Sequence, residues 1–134
     1  MGEVTRMDPL KKGEREIMDL FWKKDCELTH ADICDALKDT MSRNTVYLHL
    51  NHLIDKGALQ IGPSIRRGRT YGRTFLASIS KTEYYAKQVE DAAQEDDTTL
   101  EAVFSYFLGS KDVTNEVLDK LEERIQQKRK ELNG

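Results

Sequence analysis

The sequence predicts a mainly α protein with a small β-wing: a winged helix-turn-helix domain over residues 1–80, then a C-terminal helical dimerisation region over 81–134. Three observations predict it. Two capped, amphipathic stretches, THADICDALKD and SRNTVYLHLNHLID, follow one another across a short link. Two strand-like runs joined by a basic, Pro- and Gly-containing turn come directly behind them. Beyond residue 80 the apolar pattern returns to helical spacing.

The first helix is expected over about 11–24, with Leu10, Ile17, Leu20, Phe21 and Lys24 on one stripe. The second opens at Thr29, a capping residue with Asp32 three positions on, carries Ile33, Ala36 and Leu37, and ends near Asp39. A four-residue link leads to the third, which starts at Ser42 and stops at Gly57, a natural C-terminal glycine. ALQIG then reads as a strand, PSIRRGR as a basic hairpin tip, and TYGRTFLA as a second strand. A charged helix over 81–95 follows. Residues 98–109 place Leu100, Val103, Phe104, Phe107 and Leu108 at i, i+3, i+4, i+7 and i+8. A last helix opens at Asp112 or Thr114 and carries Val117, Leu118, Leu121, Ile125 and Leu132. Two short helices cannot cover such stripes alone, so this region is expected to fold back or to pair with a second copy, and a homodimer is the expectation.

Charge is unevenly placed. The net charge is -3, yet residues 41–80 hold Arg43, Lys56, Arg66, Arg67, Arg69 and Arg73 against the single acid Asp55. Residues 81–134 are acidic in balance. One part of the chain can face a polyanion and another cannot, so an acidic total does not exclude nucleic acid. No run approaches the ~20 apolar residues of a membrane span, and Glu3, Arg6 and Asp8 stand where a signal peptide needs an apolar core. Two cysteines, Cys26 and Cys34, do not make a secreted disulfide framework, and a cytoplasmic location with reduced thiols is expected.

The third helix carries the functional reading. Its inner face, Val46, Leu50, Leu53 and Ile54, anchors it to a core. Ser42 at the cap is expected among the DNA-binding residues; Arg43 can pair with guanine, Asn44 with adenine, and Thr45 and Leu48 can offer methyl groups to thymine. Tyr47 and Asn51 lie one and two turns on from Asn44 and reach phosphate or a base. Compact directional groups read sequence, whereas long charges chiefly bind phosphate. Arg66, Arg67 and Arg69 at the hairpin tip can follow the backbone or enter a minor groove. Double-stranded DNA is the expected partner. The alternative is a winged-helix protein-interaction module without DNA binding, but such a wing gains from apolar residues, and here Ile65 stands alone among arginines.

No catalytic constellation, phosphate loop or cofactor motif is visible, and an enzyme is not expected. Cys26, His30 and Cys34 would align only if one helix ran through them, and the Thr29 cap breaks it; Cys34 reads as core. His49 and His52 share one face of the third helix with no third ligand nearby in sequence, so no metal site is expected.

The order EREIMDLFW (14–22), SRNTVYLHLNHLIDKGAL (42–59), GRTYGRTF (68–75), the helix after SKTEYY, and LEAVFSYFL (100–108) resembles the penicillinase-repressor family of bacterial transcription regulators over nearly the whole chain. The resemblance implies a winged helix with a C-terminal dimerisation region, and repression by a dimer on a palindromic operator in antibiotic- or metal-responsive gene control. It implies a membrane sensor-protease as a further partner in the β-lactam branch, which cuts an Asn-Phe bond in the fifth helix. That bond falls here at Tyr106–Phe107, and the Asn is missing. Two other departures stand out. Lys11, Lys12 and Gly13 occupy the place of a Ser/Thr-type cap, and the C-terminal C-x-C of the copper-responsive branch is absent from a chain ending RKELNG.

Overall fold

The structure, a computed structural model, describes residues 8–67, 70–94 and 97–134. Its elements are α1 (Lys12–Lys24), β1 (Leu28–Thr29), α2 (His30–Ala36), α3 (Arg43–Asp55), β2 (Leu59–Arg67), β3 (Thr70–Ala77), α4 (Lys81–Ala93), α5 (Asp97–Leu108) and α6 (Asn115–Asn133). They form two compact units, Met1–Asp91 and Ala92–Gly134. The first is a winged helix, three helices and an antiparallel sheet in the order β1-β3-β2, with most of α4 added to it; the second holds α5 and α6.

Local chemistry sets most helix ends. Thr29 and Asp32 cap α2 reciprocally: the Asp32 N–H donates to Thr29 Oγ1 at 3.1 Å, and the Thr29 N–H to Asp32 Oδ2 at 3.0 Å. Ser42 Oγ accepts the Thr45 N–H at 3.1 Å and opens α3. At its other end Gly57 takes φ +82°, which a side chain would oppose. The Ala58 N–H then returns to Leu53 O and the Gly57 N–H to Ile54 O, closing the helix with two reciprocal bonds. α1 lacks a hydroxyl or carboxylate cap, since Lys11 is only a donor there. Glu14 supplies half of one by accepting the Lys11 N–H at 2.9 Å.

Burial follows the helical stripes. Ile17, Met18 and Phe21 of α1 meet Ile33 of α2 and Val46, Leu50 and Leu53 of α3, all buried. Each such side chain contributes about 1.5–3 kcal/mol. Leu10 and Leu20 are half-buried beside this core, whereas Lys24 points outward. Cys34 is buried among these side chains and Cys26 is exposed.

Four features differ from the sequence expectation. α2 ends at Ala36 rather than near Asp39, because Leu37 O takes both the Thr40 and Met41 N–H groups in a tight turn. A two-residue strand, β1, pairs Leu28 with Phe75 and Thr29 with Thr74. The hairpin strands run through the expected tip, pairing Ser64 with Arg73, Ile65 with Gly72, Arg66 with Tyr71 and Arg67 with Thr70. Register shifts between Ile61 and Ser64, and there Pro63, lacking an N–H, accepts the buried Thr74 hydroxyl at 2.5 Å.

The fourth concerns α4. The expected boundary lies at residue 80, whereas the compact units divide after Asp91. Tyr84 explains the difference: its ring is buried 5.9 Å from Trp22, and its hydroxyl accepts the Leu10 N–H at 2.8 Å. Trp22 Nε1 in turn donates to Ile79 O at 2.9 Å.

In the second unit Thr114 caps α6 by accepting the Val117 N–H at 3.2 Å. Of the expected dimerisation residues, Val103 and Leu118 are half-buried. Leu100, Phe104, Phe107, Leu108, Val117, Leu121 and Ile125 are exposed, and α6 has no buried residue. Val103, Phe104 and Leu108 flank the Tyr106–Phe107 bond, yet Tyr106 is 78% exposed. Tyr106 lies in the last turn of α5.

Candidate nucleic-acid interface

α3 is oriented by its inner face. Val46, Leu50 and Leu53 are fully buried, and a helical period of 3.6 residues then forces the i, i+3, i+4, i+7 set Asn44, Tyr47, Leu48 and Asn51 outward. All four are exposed, Tyr47 at 59% and Leu48 at 56%. Two amides, a phenol and an isobutyl group therefore make one ridge, without a long charged side chain among them.

The N-terminal end of that ridge is held by His30 and Cys34, which lie outside the expected DNA-reading set. His30 Nε2 lies 3.3 Å from Arg43 O and 3.3 Å from Cys34 Sγ, and its ring meets Tyr47 edge-on at 6.0 Å. In the sequence His30 stands out only within the Cys26, His30 and Cys34 set, which the Thr29 cap divides. Arg73 of β3, expected only as part of the basic excess of residues 41–80, lines a groove with His30, Arg43 and Tyr47. Two expected reading residues have local roles: Ser42 Oγ caps the helix and also donates to Thr45 Oγ1 at 2.9 Å, and Thr45 is half-buried. Arg43, by contrast, is exposed.

In the wing, Arg66 is exposed near the end of β2. Arg69 and the Arg67 side chain lie outside the described residues.

On another flank of α3 the carboxylate of Glu14 is fully buried. Its Oε1 accepts from Lys56 Nζ at 2.5 Å as well as from the Lys11 N–H. Burial pushes the Glu14 carboxyl up, but the Lys56 ammonium, the Lys11 N–H and His49 together outweigh it and hold the group below its usual 4.5. His52 Nδ1 is 3.6 Å from Oε2. Glu14, His49 and His52 are the described group able to hold a metal ion. Sequence reasoning missed it because the third ligand stands on another helix.

Among the described residues no helix is long and apolar enough to cross a membrane. No curated protein matches the chain significantly. Among solved structures, the adhesin competence repressor of Streptococcus pyogenes is similar at 18% identity, over 93% of this chain and 82% of that one. The TM-score between the two is 0.43. Residues 10–127 match the family model described as penicillinase repressor. With that match over most of its length, the chain belongs to the penicillinase-repressor family of DNA-binding transcriptional repressors.

Proposed function

We propose that two copies of this chain act as one repressor on a two-fold operator, with α3 of each in the major groove and the wing against the adjoining backbone. The exposed ridge of Asn44, Tyr47, Leu48 and Asn51 carries this reading. It presents directional and methyl-bearing groups on a helix whose opposite face is locked into the core, as base readout requires. Arg43, Arg66, Arg67 and Arg69 supply phosphate contacts or guanine pairing around it, and Ser42 and Thr45 act chiefly by fixing the helix start.

Residues 81–134 serve dimerisation in this reading, with the first turns of α4 lent to the winged helix. Leu100, Phe104, Phe107, Leu108, Val117, Leu121 and Ile125 are the surface a partner copy would cover. A dimer engages its second half-site at high effective concentration, so separating the copies is enough to release DNA. Cleavage at Tyr106–Phe107 by a membrane sensor-protease would do so, and the missing Asn argues for a different trigger acting on the same interface. The protein would work in the cytoplasm, where its operator is.

Two large apolar side chains, Tyr47 and Leu48, on the exposed ridge also suit a protein-binding module. A gel shift with the host promoter region across a salt series separates the two readings. The repressor reading expects affinity to fall steeply with salt, by roughly 0.9 logarithmic units per neutralised phosphate. Absence of a shifted band at low salt would favour the protein-binding module.

A further inference from the structure

We propose that Glu14, His49 and His52 form a binding site for a first-row divalent cation, Zn2+ by preference, which ties α1 to α3. The three residues offer ligand atoms that all lie within 4.8 Å of one another. Glu14 Oε2 and His52 Nδ1 are 3.6 Å apart, too far for a hydrogen bond. Two ligands at the ~2.0–2.2 Å of zinc–oxygen and zinc–nitrogen bonds, set at a tetrahedral angle, stand about 3.3–3.5 Å apart.

Two atoms of these residues are buried without a hydrogen-bond partner, Glu14 Oε2 and His49 Nδ1. Buried polar atoms normally have one. Glu14 is fully buried, so its unpaired oxygen faces His52 with no contribution from bulk water. The other oxygen is already fixed by Lys11 and Lys56, an outer layer that holds a ligating carboxylate in one orientation. His52 is the exposed member, and it leaves a route for an ion to reach the other two. Gly13 completes the arrangement: a Cβ there would run into His49 Nε2, so only glycine lets that ring lie against α1. The same glycine stands among the residues that replace the family's usual helix cap.

Two imidazoles and one carboxylate match zinc, cobalt(II) or nickel(II) rather than calcium or magnesium, which prefer all-oxygen sites. The Lys56 ammonium opposes the incoming charge, so the site is expected to bind less tightly than one lacking it.

The test uses the full-length protein stripped with a chelator. Titration with cobalt(II) should give a visible tetrahedral absorption saturating at one ion per chain, and zinc should displace it. Zinc should also raise the thermal midpoint. His52→Ala alters an exposed side chain, so folding is retained, and cobalt affinity should fall by more than roughly tenfold with loss of the zinc-dependent midpoint shift. Glu14→Gln should behave likewise if it folds. The proposal is overturned if no stoichiometric band appears, if His52→Ala binds as the parent does, or if an ultraviolet thiolate-to-cobalt band shows that Cys26 or Cys34 holds the ion.

Discussion

Lys56 Nζ lies 2.5 Å from Glu14 Oε1, joining the C-cap of α3 to the first turn of α1 through a carboxylate that solvent does not reach. A buried charge that loses its partner costs far more than the pair is worth. Lys56→Met should therefore destabilise the protein by about 3 kcal/mol, the low end for such pairs because the Lys56 side chain is 18% exposed. Lys56→Met combined with Glu14→Met should recover most of that loss. Urea midpoints of the single and double variants check it, and equal losses in both would show that the charge is not what matters.

Gly13 and His49 should be coupled. Glycine inside a helix costs about 1 kcal/mol relative to alanine, so Gly13→Ala ought to stabilise α1. Here the added methyl meets the His49 ring, and the variant is expected to be neutral or destabilised. In a His49→Ala background the same change should stabilise by about 1 kcal/mol. A double-mutant cycle measures the difference, and a coupling of zero would mean the ring moves away freely.

The α4 packing predicts where the winged helix can be cut. A fragment ending at Ser80 loses Tyr84, the acceptor of the Leu10 N–H, and the Glu83 carboxylate that accepts the Ser80 N–H at 3.2 Å. Burying a Tyr-sized ring contributes about 2 kcal/mol. For a fragment this size that corresponds to a melting temperature roughly 10 °C below that of residues 1–91. Matching melting curves for the two fragments would contradict the assignment of α4 to the first unit.

Base readout and phosphate contact should separate by mutation. Arg66→Ala is expected to weaken binding to every duplex and to reduce the salt slope by about one. Asn44→Ala should relax preference at one base position, at about 1–3 kcal/mol for that pair. Binding to a panel of single-base operator variants over a salt series distinguishes them, and the opposite pattern would exchange the two roles.

The exposed stripe of the second unit predicts the oligomeric state. Phe104→Asp with Phe107→Asp should convert a dimer into a monomer by sedimentation, with the winged helix still folded. A parent protein that sediments as a monomer at micromolar concentration would defeat the dimer. Blotting in induced cells tests the trigger: a fragment ending at Tyr106 supports cleavage, and an intact chain throughout induction excludes it.

What the sequence determined by itself was local. Thr29 with Asp32, Ser42 before α3 and Gly57 after it each act within about four residues, so the helix-turn-helix and its outward ridge could be placed without coordinates. The hairpin was legible from Pro63 and the alternating strands, but its extent was not, because strand ends are set by cross-strand pairing such as Arg66 with Tyr71. β1 is two residues long, too short for any periodicity to register. The tertiary structure alone decided which distant groups meet. Tyr84 and Leu10 are 74 positions apart and share a hydrogen bond, and Glu14 meets Lys56 across 42. In sequence Glu14 is one more acid at a helix start. Only the packing of α1 on α3 takes it out of water, and a carboxylate removed from water must find a cation, a donor or a metal.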